Sequence, residues 1–147
     1  MPNQLHHVVM LSHSATRFIQ FLTDVVGMEV QHSFRVPGAI LETTLGWPPS
    51  EGADVTILGS GAAGLVEVLD VPDQLRPAAP EGLAALSFMA DDYNTMQAKA
   101  RQFAGDVSVL DTGVPGVDLF ICTVGGVPME FMGSYEAEAM EVSAADG

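Results

Sequence analysis

Hydrophobic and polar positions run along this chain in two rounds of the same order. Residues 5–11 are a compact apolar run with β-branched valines, bounded by polar residues, and predict a strand. Ser14 follows with a side-chain oxygen suited to cap a helix. Phe18, Phe21, Leu22, Val25 and Val26 then recur at i, i+3, i+4, i+7 and i+8, which predicts a helix with one apolar stripe. Gly27 predicts its left-handed stop. Residues 28–36 return to an extended pattern, and Pro37-Gly38 punctuates them. Residues 38–52 read as irregular, with Trp47-Pro48-Pro49 in a loop. Residues 55–58 and 65–69 predict two strands joined by the glycine-rich stretch 59–64.

After a proline-containing linker at 71–82, the second half repeats the plan. Residues 83–90 predict a strand, and Asp91 or Asp92 caps a helix with Tyr93, Met96, Ala100 and Phe103 on its apolar side. Gly105 ends that helix. Residues 107–110, 117–123 and 127–132 predict three further strands, the last two joined at Val124-Gly125-Gly126. The intervals coincide as well: His7 to Ser14 to Gly27 has the same spacing as Ala85 to Asp92 to Gly105. Both halves therefore read β-α-β-β-β, and the fold class is α+β. The halves differ where it matters, with a histidine in the first strand of one and alanine at the matching place in the other.

A second correspondence bears on chemistry. Leu65-Val66-Glu67-Val68-Leu69 and Pro128-Met129-Glu130-Phe131-Met132 each place one acid at the centre of an apolar run. Carboxylates are seldom buried without a partner, an ion or a pocket, so two at matched positions point to a shared site.

Composition narrows the partners. The chain has 147 residues, 48% of them hydrophobic, which fits one globular domain over 1–132 followed by an acidic tail at 133–147. Five basic against 19 acidic residues leave a net charge of −14, which argues against a nucleic-acid partner and mildly favours a cationic ligand. The single Cys122 lies in an apolar run and reads as a core filler. No apolar run approaches membrane-spanning length, and the first residues lack a basic or hydrophobic leader, so the expected setting is cytoplasmic.

The text Leu5-His6-His7-Val8-Val9-Met10, followed by Phe21-Leu22-Thr23-Asp24-Val25-Val26-Gly27, resembles the vicinal-oxygen-chelate superfamily. That group includes glyoxalases, bleomycin-resistance proteins, extradiol dioxygenases and methylmalonyl-CoA epimerases. The resemblance spans about residues 4–132. It implies two paired βαβββ modules, about 4–71 and 82–132, forming a curved mixed sheet around a cavity, and a homodimer. It implies metal-binding positions on the first and last strand of each module, which fall on His7, Glu67, Ala85 and Glu130. Alanine cannot bind an ion, so the usual set is incomplete, and Leu22 stands where many members carry tyrosine.

Two readings follow. In one, His7, Glu67 and Glu130 hold a divalent ion (iron, manganese, zinc, nickel or cobalt) for a lyase, isomerase or dioxygenase, with Glu130 or Glu67 moving a proton. In the other, the cavity holds no metal, His7 bonds one of the acids, and the protein sequesters a hydrophobic or cationic small molecule, as bleomycin-resistance proteins do. Strand alternation turns His7 into the cavity and His6 to the surface or an interface. His13 is expected in solvent, His32 is a lesser candidate for the cavity, and Trp47 is expected to pack.

Overall fold

The computed structural model describes residues 4–104, 106–110 and 118–133. Among the described residues, eight strands and three α-helices follow in chain order: β1 (Gln4–Ser12), α1 (Ala15–Phe21), β2 (Glu29–Val36), α2 (Gly38–Leu45), β3 (Ala53–Gly59), β4 (Leu65–Asp70), β5 (Gly82–Met89), α3 (Tyr93–Ala104), β6 (Ser108–Leu110), β7 (Leu119–Val124) and β8 (Val127–Met132). They form one mixed, curved sheet in the order β2-β3-β4-β1-β5-β8-β7-β6. Each half supplies four strands in mirrored order. Its first and last strands pair in parallel, β1 with β4 and β5 with β8, and the halves join through antiparallel β1 and β5. This is the paired βαβββ architecture that the doubled pattern predicts.

Side-chain alternation assigns the two faces. On β4, Val66 and Val68 pack with Leu58 beneath Ala15, Phe18 and Leu22 of the first helical segment. Leu65 and Leu69, on the opposite face, join Val9, Val36, Val55 and Ile57 in the larger core beneath Leu41 and Trp47. In the second half, Phe120 is fully buried between Tyr93 and Phe131, with ring centroids 5.4 and 4.7 Å away, and Phe131 stacks on Phe88. That aromatic column fastens α3 to the sheet.

Four local expectations need correction. Residues 38–45, expected to be irregular, are helix α2. It starts directly after Pro37 and stops at Gly46, whose φ of 69° is left-handed. Gly38 and Gly52 fix its entry, since a Cβ at either would lie within about 2 Å of a backbone carbonyl oxygen, of Ser50 or Val36 respectively. Ser14 occupies the N-cap position without a side-chain capping bond; its own amide instead donates to Ser12 Oγ. The first helix changes to a π-helical turn at Leu22–Val26 before Gly27 stops it. Of the apolar stripe, Phe18 and Leu22 pack on the sheet, while Phe21 and Val26 are exposed and Val25 is 68% exposed. The linker is a packed strap: Val71, Leu75 and Ala79 are buried, and His13, expected in solvent, bonds through Nε2 to the Ala79 carbonyl at 2.8 Å. Asp92 caps α3 as expected, accepting from the Thr95 amide. Gly105 and the tail at 134–147 lie outside the described residues.

Candidate functional site

The cavity between the sheet and α2 has a volume of about 70 Å³. Among the described residues its wall is apolar except for Thr44 and three ionisable residues, His7, Glu67 and Glu130, and these are the three that the sequence singles out. Phe34 and Val36 from β2 and Ile40, Leu41 and Leu45 from α2 enclose much of the rest. His32, half-buried on β2, is not part of the lining.

Register explains how the polar groups meet. In the pairing of β1 with β5, His7 is opposite Ser87 and Val9 is opposite Ala85, while Ser87 is beside Glu130 on β8. Residues opposite one another across strands share a face, so one row crosses the sheet from β1 to β8. Val9 is in turn beside Glu67 on β4, as Ser87 is beside Glu130. The internal symmetry thus relates Val9 to Ser87 and His7 to Ala85.

The groups form two hydrogen-bonded sets. His7, 2% exposed, places Nε2 2.8 Å from Glu67 Oε2, and its Nδ1 lies 2.8 Å from His6 Nδ1. Burial favours the neutral ring at His7, but the carboxylates of Glu67 and Glu130 outweigh it and raise the pKa above the ordinary histidine value. Burial and the charge on His7 push His6 down to about 4. The raised pKa favours the doubly protonated ring, with Nε2 facing the Glu67 carboxylate as an ion pair and Nδ1 facing His6. In the second set, Ser87 donates its hydroxyl to Glu130 Oε2 at 2.5 Å. Burial and the negative charge of Glu67 raise the Glu130 pKa, and the Ser87 bond and His7 only partly offset this.

His6, expected at the surface, is buried. A register shift in the pairing with β5 between Leu5 and His7 breaks the strict alternation that would have turned it outward. Ser87, also buried, was missed; its signal in the sequence was its place two residues beyond Ala85 on the strand that faces His7.

Comparison with solved structures places this arrangement. A hypothetical protein from Bacillus halodurans superposes with a TM-score of 0.64 at 13% identity, over 92% of this chain and 97% of that one. A Streptomyces coelicolor methylmalonyl-CoA epimerase, in complex with 2-nitronate-propionyl-CoA, gives 0.61 at 18% identity, over 90% and 97%. The Mycobacterium tuberculosis methylmalonyl-CoA epimerase gives 0.63 at 16%, over 92% and 90%. The chain has the vicinal-oxygen-chelate fold. No family model and no curated protein matches the sequence. At these identities the likeness establishes the architecture and not the reaction.

In the vicinal-oxygen-chelate fold, the four positions that the resemblance assigns to a metal are occupied here by His7, Glu67, Ala85 and Glu130. The donor types suit a divalent ion, but their arrangement does not. His7 Nε2 faces Glu67 Oε2 at 2.8 Å and its Nδ1 faces His6, while Oε2 of Glu130 is taken by Ser87. Among the described residues, no group of three or more histidine, cysteine or acidic side chains is placed to hold an ion. Also among the described residues, no helix is long and apolar enough to cross a membrane.

Proposed function

We propose that the chain is a small-molecule isomerase or lyase that moves a proton at the carbon beside a carbonyl group, within the cavity lined by Glu67 and Glu130. The observation that carries this is a contrast between two carboxyls from matched positions. Both line one small apolar cavity, one paired at 2.8 Å to the buried ring of His7, the other hydrogen-bonded to Ser87 with its pKa raised by burial. Environments that differ in this way divide acid from base.

Glu67 accepts the proton from carbon, and Glu130 delivers one to the opposite face or to a leaving group. Ser87 occupies Oε2 of Glu130 and so leaves Oε1 to act. The positive charge on His7 stabilises negative charge developing on the substrate oxygen, which is the largest electrostatic service such a site provides. Two structurally similar proteins are epimerases, which agrees with this class of reaction.

The test is solvent-deuterium incorporation, followed by NMR across a panel of 2-methyl and 2-hydroxy acyl thioesters and ketones. We expect exchange with at least one member, and a loss of about 100-fold or more in Glu67→Gln and in Glu130→Gln, the scale of general acid–base catalysis. A second reading, sequestration without reaction, draws on the apolar lining. It predicts saturable binding of a panel compound with no exchange, and the same affinity in Glu130→Gln.

A further inference from the structure

The cavity is too small for a whole metabolite. At about 70 Å³ it takes a head of a few heavy atoms, whereas ligand sites commonly run from roughly 300 to 1,000 Å³. A groove of about 660 Å³ adjoins it, and Thr44 and Leu45 at the end of α2 border both spaces. The groove has the capacity that the cavity lacks.

Its charge is one-sided. Glu81 and Asp106 lie in the groove wall together with Thr43 and Trp47, and no lysine or arginine does. The chain has only five such residues. Arg35 is paired to Asp54 at 2.8 Å, and Arg76 to Asp73 at 3.0 Å with further bonds to the carbonyls of His13 and Val71. Arg17 lies on the first helical segment, and Lys99 and Arg101 lie on α3, all outside the linings of cavity and groove. Against a net charge of −14, nothing there is available to meet a phosphate.

We infer that the substrate is a two-part molecule: a compact carbonyl-bearing head in the cavity and a phosphate-free, cationic tail in the groove beside Glu81 and Asp106. This deepens the proposed function and rests on it for the head. It sets the chain apart from the similar protein solved with an acyl-CoA, whose tail carries phosphates.

The experiment compares three compounds with the same propionyl acyl group and different tails: the oxoesters propionylcholine and its uncharged isostere 3,3-dimethylbutyl propionate, and the thioester propionyl-CoA. Binding is read from the fluorescence of Trp47, the single tryptophan, which is 5% exposed and lines the groove. Propionylcholine is expected to bind about fivefold tighter than the isostere at low salt, with the gap closing as salt rises, and propionyl-CoA is expected to bind weakest. The advantage should disappear in Glu81→Gln/Asp106→Asn, a change confined to exposed side chains. Equal affinities, tighter binding of the CoA ester, a choline preference unchanged in the double variant, or no response of Trp47 to any ester would each overturn the inference. Deuterium exchange separates the two proposals. Exchange lost in the Glu67 and Glu130 variants, with the tail preference absent, sinks only the inference. Exchange that survives in those variants sinks the proposed reaction whatever the esters do.

Discussion

Replacing Glu67 with Gln removes the counter-charge of a buried imidazolium and leaves its shape nearly unchanged. At 2.8 Å the pair attracts by about 6 kcal/mol at an effective dielectric of about 20. Desolvation of both ions cancels much of that, so the net loss is smaller, about 2–4 kcal/mol while His7 is charged. The pH dependence distinguishes this from a packing defect. His7 has a raised pKa in the folded protein, so its contribution is fully present below the ordinary histidine value near 6.5 and is lost as pH rises through the raised one. In Glu67→Gln burial prevails, and charging His7 becomes a cost at low pH. Urea unfolding at pH 5 should therefore show the full 2–4 kcal/mol deficit, shrinking to about 1 kcal/mol or less at pH 9. The His7 ring signals in NMR should titrate at lower pH in the variant. A deficit that is the same at both pH values, or absent at pH 5, would refute the assignment of His7 as a paired imidazolium.

Ser87→Ala deprives Glu130 of its donor and should raise the carboxyl pKa further, with a stability loss of about 1–3 kcal/mol seen in unfolding titrations at neutral pH. Phe120→Ala should cost about 3–5 kcal/mol in urea unfolding, because it empties a fully buried position between Tyr93 and Phe131 and loosens α3. Chelator treatment, and titration of zinc or manganese into the treated protein, should leave the thermal midpoint unchanged. A stoichiometric ion whose removal lowers that midpoint by several degrees would refute the pairing of His7 with Glu67 as the resting state.

Strand number, the doubled βαβββ order and the αL stop at Gly27 were legible in the sequence because they depend on local periodicity and on the conformational freedom of glycine. That His7, Glu67 and Glu130 line one cavity was foreshadowed too, since an acid or a histidine inside an apolar run needs a reason to be buried. Helix α2 was not legible: it opens with glycine after a proline, a combination that marks a turn, and tertiary packing of Leu41 against the core overrides it.

Tertiary structure alone decided which groups bond to which. His6 belongs with His7 because an irregularity in the pairing of β1 with β5 keeps both rings inside, and Ser87 belongs with Glu130 because β5 and β8 pair in that register. Hydrophobic pattern determines which segments become strands and helices and, where the ladder is regular, which side of a strand is buried. Strand register, which depends on contacts between residues distant in the chain, determines a residue's partner, and the partner determines its charge.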